Sequence, residues 1–526
     1  MSTPNMNERV PFSATRISEM RELFRSTITS SDCNVISQFL LDAEMEMRRC
    51  DDEMKRLKTA MLMLENKKKD LEGVVDKCRS LLAPVHRLPN EVLTRVLSLT
   101  RGMEYALEPS VIPTSVALSM VCGRWRDVML STPGLWSDLH IEFALWKGKF
   151  PVLERLVRIF MQRSGLRPLV VRMDLRDINN FMEGHDDILP IINILFHHCA
   201  RWQRLALGNY SQWSSLLWNR RERDFPALEA LQILWNNSLP SVAHTLFKGS
   251  PSLKRFEVGS LDVFGNDEHL KLPLRQIEFL TVRKSSASAT LKFLSSFPQL
   301  KELKLMQCGG HLGDYTGQYI SDTVNSASFT WKSQEDADTI LRRLTLPQLT
   351  SLTMGCPWQF EWTPWVGSSA TDFLARSACT ITSLCLDRLP MADRQVIALL
   401  ELMPALANLE INEAPAKGKN KIITATFIRR LVVNPHATLF SARPFLSRLT
   451  SLVLITDKEG LVEQDIFNAV SSRWIPDPEQ AREVGVGCLR SVRLTARRGD
   501  ADHSRLSILE CFRVVGLQMD IFYEPL

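Results

Sequence analysis

At 526 residues and 59.9 kDa, the chain is long enough for about three or four domains with a sizeable core. Hydrophobic residues make up 45% and charged residues 23%, an ordinary balance for a folded soluble protein, and a net charge of +5 is too weak a field to argue for a nucleic-acid or membrane partner. Eleven cysteines without a C-x-x-C pair fit neither a zinc ribbon nor a disulfide framework, which leaves reduced, mostly buried thiols in an intracellular protein as the expectation.

Residues 1–34 are polar and mixed, end in hydroxyls between Ser26 and Ser31, and read as a flexible arm with a short helix from Ile17 to Phe24. Arg9, Arg16, Arg21 and Arg25 punctuate the first thirty residues, which lack the continuous apolar core of a signal peptide. The most apolar run, Ile188 to Phe196, falls far short of the ~20 residues that span a bilayer. The cytoplasm, the nucleus or both are the expected location.

Residues 35–83 carry a strict pattern. Ile36, Leu40, Ala43, Met47, Cys50, Met54, Leu57, Met61, Leu64, Lys68, Leu71, Val75, Cys78 and Leu82 follow alternating steps of four and three, the a/d repeat of a coiled-coil seam. No proline interrupts the stretch, and a helix this long cannot bury such a stripe on itself. Self-association or pairing with another coiled coil is expected; the rival is a single amphipathic helix lying on the rest of the protein. Lys68 is the charged residue on the seam, and the run Lys67-Lys68-Lys69 reads as a solvated helical face rather than a nuclear signal.

Pro84 ends that helix, and Pro89 starts a short one whose apolar face comprises Val92, Leu93, Val96, Leu97 and Leu99. A second helix is expected from about Ser115 to Leu130, capped by Thr114 or Ser115 and stopped by Ser131-Thr132-Pro133-Gly134. Residues 84–138 thus expose more apolar surface than a few short helices can cover, and part of it belongs in an interface.

Leu88-Pro89-Asn90-Glu91-Val92-Leu93 and Val121-Cys122-Gly123-Arg124-Trp125-Arg126, followed by Pro133-Gly134-Leu135-Trp136, resemble the two halves and the exit of an F-box, in the right order. The resemblance departs at Arg101 to Pro113, a connection that makes the Leu88 to Trp125 spacing longer than is usual in the family. It implies docking on a Skp-family linker protein through Leu88, Pro89, Val92, Leu93, Val96, Leu97, Val121 and Trp125, and through that linker membership of a cullin-RING ubiquitin ligase.

From residue 139 to 526 a short phrase recurs. Phe225 to Ile233 returns as Ser250 to Val258, Phe297 to Leu305, Leu346 to Met354, Met403 to Ile411 and Leu446 to Leu454, with weaker copies at Trp202 to Leu207, Leu274 to Phe279, Ile381 to Leu386 and Leu489 to Leu494. In this h-x-x-h-x-h phrase the last two apolar residues alternate, so both point from a short strand into a core. Helices are expected between phrases, at Val242, Leu246 and Phe247 and at Val396, Leu399, Leu400 and Leu402. Stacked units give a parallel sheet along one face of a solenoid.

The spacing of the phrase resembles leucine-rich repeats, whose period is about 20–29 residues. The family's Asn or Cys three residues after the last strand residue is matched by Asn236 and Cys308, and insertions fall near 309–343, 357–378, 412–445 and 456–487. The whole chain therefore resembles a fungal F-box-like protein with an N-terminal coiled coil and degenerate leucine-rich repeats. Its expected class is mixed α/β and multidomain: a flexible arm (1–34), a coiled-coil helix (35–83), a small all-α F-box (84–138) and an irregular α/β solenoid with a parallel sheet (139–526).

Trp358, Phe360, Trp362 and Trp365 crowd one strand-exit stretch, where aromatic side chains make good interface anchors for a target protein; a loop folded over the solenoid edge is the alternative. Lys417-Gly418-Lys419-Asn420-Lys421 reads as a solvated basic insertion, and Arg498-Gly499-Asp500 as chance. His197-His198-Cys199 has no further ligands at metal spacing and ends a helix before the Trp202 strand. No P-loop, nucleophile elbow or dinucleotide fingerprint occurs, so neither enzymatic activity, a metal nor a cofactor is expected. The implied function is that of a substrate adaptor which places a target protein near a ubiquitin-transferring enzyme; the alternative is a non-catalytic coiled-coil and repeat scaffold with no ligase role.

Overall fold

A computed structural model describes residues 21, 24, 27–100, 106–175, 185–208, 223–234, 246–262, 272–313, 315–357, 368–413, 421–433, 444–457, 463–497, 509 and 511–524. The chain divides into two compact units, one ending at Leu93 and the other beginning at Thr94.

In the first unit a single helix, α1, runs 52 residues from Ser30 to Leu81 and has no buried residue. It starts five residues before the seam suggests, because Thr29 and Asp32 form a capping box. The Asp32 backbone N–H donates to the Thr29 hydroxyl, and the Thr29 N–H donates to the Asp32 carboxylate at 2.8 Å. The Thr29 hydroxyl, which also donates to the Asp32 carboxylate at 2.6 Å, and after it the Thr29 N–H hold the Asp32 carboxyl below its ordinary pKa. The seam residues Leu57, Met61, Leu64 and Leu71 are all exposed. Ion pairs one turn apart, such as Lys68 with Glu72 and Arg79 with Asp76, decorate the helix; pairs this exposed contribute only about 0.3–0.5 kcal/mol each. Leu82 closes the helix, and Pro84 then opens a 3-10 turn, Pro84–Arg87.

A second helix, α2 (Asn90–Ser98), crosses from the first unit into the second. Pro89 precedes it, and its carbonyl accepts the Leu93 N–H at 3.0 Å. The single helix expected from Ser115 to Leu130 is two: α3 (Thr114–Ser119) and α4 (Gly123–Ser131). Cys122 sits between them with extended backbone (φ −158°, ψ 170°), which turns the chain before α4. Pro113, rather than Thr114 or Ser115, occupies the α3 cap.

Among the described residues, the rest of the second unit is organised by one sheet of fourteen parallel strands. In chain order the strands are β1 (Asp138–Glu142), β2 (Leu169–Asp174), β3 (Trp202–Gly208), β4 (Ala230–Leu234), β5 (Arg255–Val258), β6 (Phe279–Arg283) and β7 (Glu302–Met306). They continue as β8 (Tyr319–Ile320), β9 (Ser326–Thr330), β10 (Leu344–Thr345), β11 (Ser351–Gly355), β12 (Ser383–Asp387), β13 (Asn408–Asn412), β14 (Ser451–Asp457), β15 (Ser491–Arg497) and β16 (Gln518–Glu524). All but β8 and β10, which pair with each other, lie side by side in sequence order.

The strand interiors alternate as the phrase dictates. Leu303 and Leu305 on β7 face inward with Leu352 and Met354 on β11, Leu384 and Leu386 on β12, and Leu409 and Ile411 on β13, all buried. The phrase at the Leu274 copy is shifted by three residues: Leu280 and Val282 point inward behind Ile277, and Phe279 faces the other way. Cover comes from helices on the inner face. These are α5 (Phe150–Arg163), α6 (His185–His197), α7 (Ala287–Leu294), α8 (Gln334–Leu341), α9 (Ser368–Ser377), α10 (Asp393–Glu401), α11 (Ala425–Arg430), α12 (Glu463–Arg473), α13 (Pro478–Val484) and the short α14 (Cys511–Val514). Val396, Leu399 and Leu400 of α10 are buried as expected, but Leu402 is its exposed cap, and Leu246 and Phe247 are buried in a turn. The region 309–343 is not mere insertion, since it contains β9 and α8. Gly485 closes α13 at φ +74°, where a side chain would be strained.

Within the second unit, arginines tie successive repeats together. Arg473, 1% exposed, donates to the carbonyls of Leu431, Leu446 and Phe445, and burial pushes its pKa down to about 10. Arg376 reaches Leu341, Leu344 and Thr345, and Arg201 reaches Ser164 and Arg167, in the same manner. Adjacent residues on one strand should therefore respond very differently to truncation. Leu352→Ala should cost about 2–5 kcal/mol in urea unfolding, and Thr353→Ala on the opposite face less than about 0.5 kcal/mol.

Candidate functional site

The eight F-box-like residues sort into two sets. In the first unit Pro89 and Val92 are exposed, Val92 by 44%, Leu88 is half-buried and Leu93 is fully buried. In the second unit Val96 and Val121 are 46% and 59% exposed, Trp125 is half-buried, and Leu97 is 2% exposed. The helical repeat explains the split along α2: Leu93 and Leu97, four apart, share the inward stripe, and Val92 and Val96 share the next one. Leu99, Val111, Ile112 and Met120 are exposed as well. They add apolar surface that the F-box pattern did not single out, although their residue types made it visible.

The long Arg101 to Pro113 connection has a structural use. Residues 101–105 lie outside the described residues, but Leu107 is buried and pairs with Ile141 at the edge of β1. Its N–H donates to the His140 carbonyl at 2.7 Å, and its carbonyl accepts the Trp146 indole N–H at 2.6 Å. Trp136, from the expected F-box exit, is likewise a core residue. Its indole donates to the Met129 carbonyl, its ring meets Phe160 edge-on at 5.3 Å, and it opens the first repeat phrase, Trp136-x-x-Leu139-x-Ile141. The sheet thus begins at Asp138, inside the span read as F-box.

Trp358, Trp362 and Trp365 lie outside the described residues, as does Lys417 to Asn420. His197 ends α6 as expected, with its ring 5.3 Å from that of His198, and burial lowers the pKa of His198. Among the described residues no group of three His, Cys, Asp or Glu side chains is placed to hold a metal ion. Cys308, three residues after the last inward residue of β7, has its thiol 3.6 Å from the Val282 carbonyl of the preceding repeat. Burial raises its pKa to about 11; burial, then Glu410 and Asp387, raise that of Cys385 to about 12. Both are held as thiols at neutral pH, which makes them poor nucleophiles.

One surface was missed in the sequence: the open face of the sheet across β2 to β7. A depression of about 360 Å³ lies there, floored by Ala206 and Ala230 and bordered by Arg172, Arg204, Gln232, Arg255, Glu257, Phe279, Thr281, Glu302 and Lys304. The register sets Arg204, Ala230, Arg255 and Phe279 in one row across four strands and Ala206, Gln232, Glu257 and Thr281 in a second. Two small side chains between long ones make the hollow. The shifted register of β6 supplies Phe279, over which the Arg255 guanidinium lies at 3.9 Å from the ring centre.

No family model matches this chain, and no curated protein matches it. Among solved structures, a Bacteroides fragilis protein determined as a structural-genomics target is similar at 11% identity, over 72% of this chain and 84% of that one, with a TM-score of 0.27. At that score the likeness carries no argument. The chain is mixed α/β, with a long N-terminal helix and a large parallel repeat sheet, and no described helix is long and apolar enough to cross a membrane. Alkylation of the native protein at neutral pH should label exposed Cys511 readily and Cys308 only after denaturation, with peptide mass spectrometry reading each site.

Proposed function

We propose that the chain is a substrate-recognition adaptor of a Skp-cullin-F-box ubiquitin ligase, an F-box protein whose leucine-rich repeats hold the target. One observation carries the reading: Pro89, Val92, Val96 and Val121, positions at which the F-box resemblance places linker contacts, are exposed apolar side chains. A scaffold that used this segment only as internal packing would bury them. Each such side chain, once fully covered, contributes roughly 1.5–3 kcal/mol, so a few suffice for a stable complex after ordering costs. Leu93 and Leu97 then support the contact from beneath, and the adaptor does no chemistry itself; it supplies proximity. The expected setting is the cytoplasm, the nucleus or both, with Trp358, Trp362 and Trp365 as further candidate target contacts. Pairing of α1 with a second copy is part of the same reading, because its apolar seam is exposed along the helix.

Two measurements bear on this. Leu88→Ala combined with Pro89→Ala should abolish co-purification with the Skp-family linker while circular dichroism stays unchanged; undiminished co-purification would sink the assignment. Sedimentation should give a particle of twice 59.9 kDa, and Leu57→Asp with Leu64→Asp should return it to a monomer. A wild-type monomer at micromolar concentration would remove the self-association.

A further inference from the structure

We propose that the depression on the open face of β2 to β7 is a binding site for a short, extended, acidic peptide segment, whose carboxylates engage Arg204 and Arg255. The proposal rests on the reading of the repeat sheet as the surface that holds a target protein, and it names the chemistry of that target. The charge distribution supports it. In the row just before the strands, every charge is answered by a neighbour: Glu278 lies between Lys254 at 3.3 Å and Lys301 at 2.8 Å, and Gln203 donates to Glu229. Inside the depression the acids are also answered, Glu257 by Arg283 and Glu302 by Lys304, and Arg172 faces Asp138 at 3.3 Å.

Arg204 and Arg255 differ. Among the described residues the Arg204 side chain has neither an ion pair nor a hydrogen bond, and the Arg255 guanidinium lies over the Phe279 ring, which does not neutralise it. The two flank Ala230 in one row, two strand spacings or about 9–10 Å apart at the backbone. Gln232 and Thr281 offer hydrogen-bonding groups beside them. Guanidinium forks suit carboxylates, and the alanine floor admits a peptide backbone close to the sheet.

The basic field is local. Along the same rows beyond β7 stand Ser326, Ser351 and Ser383, then Ser328, Thr353, Cys385 and Glu410. A nucleic-acid backbone needs cations repeated along its track, which this face does not provide, whereas an acidic peptide needs one or two.

The test is fluorescence anisotropy on the full chain with a short fluorescein-labelled peptide of alternating glutamate and serine at low salt. Binding is expected, weakened about tenfold or more by Arg204→Gln with Arg255→Gln and by Ala230→Trp, which fills the hollow. Arg493→Gln on β15 should leave it unchanged. Equal binding by wild type and the double variant, or no binding by wild type, overturns the proposal. So does a single-stranded oligonucleotide of matched charge that binds more tightly than the peptide and is lost in the same variants. Thermal melts of each variant check folding, and the conservative Arg204→Lys should retain more affinity than Arg204→Gln. Linker co-purification from the same preparations separates the two readings: peptide binding without linker leaves the site standing and removes the ligase role, and linker without peptide binding does the reverse.

Discussion

The second unit depends on one constraint: a strand of five or so residues cannot bury its own apolar side chains, so each must lie against the next unit. Parallel pairing satisfies the backbone N–H and C=O groups, and the inward pairs, Leu303 with Leu305 through Leu452 with Leu454, form a continuous core one phrase deep. The arginines at 201, 376 and 473 address the carbonyls left over where chain segments leave that ladder. Leu107 answers the same demand at the first edge, where it gives β1 a partial neighbour that the repeat does not supply.

The first unit obeys the opposite rule. The α1 backbone is satisfied internally, its ends are finished by the Thr29–Asp32 box and the Leu82 cap, and no residue in it is buried. Its stability rests on propensity and weak neighbouring charge pairs, while the seam residues from Met47 to Leu82 that are apolar, such as Leu57, Met61, Leu64 and Leu71, remain exposed. A helix in that condition gains from any partner that matches the seam, whereas the repeat sheet already has its core.

Much of this was legible. The phrase h-x-x-h-x-h revealed strands β3 to β5, β7 and β11 to β15 with the right residues inward, because a period of two with a leading apolar residue has few other solutions. It failed where side chains were small or the phrase merged with its surroundings. In β9 the inward residues are Ala327 and Phe329, and the alanine hid the pattern; in β1 the leading Trp136 looked like the end of another motif. At β6 two apolar frames compete, Leu274-Ile277-Phe279 and Ile277-Leu280-Val282. The structure takes the second, because it keeps Leu280 beside the inward residues Phe256 and Leu303. The open-face depression was not legible at all. Arg204, Ala230, Arg255 and Phe279 are brought together by register between strands from four different units, and a single sequence carries no register between them. The split of the eight F-box-like residues into exposed and buried sets was readable in principle from helical spacing along α2.

Because the spatial order of the fourteen strands follows their order in the chain, the molecule has a direction of assembly. Each strand of that sheet leaves the ribosome with its neighbour already made, whereas β8 must wait for β10. Growth of the sheet is then vectorial: Leu107 and Trp136 furnish the starting template, and each new unit covers the edge that its predecessor left open for the time of a few dozen residues' translation. During that growth the last strand made presents a raw edge, the point at which a pause would be most dangerous to the nascent chain.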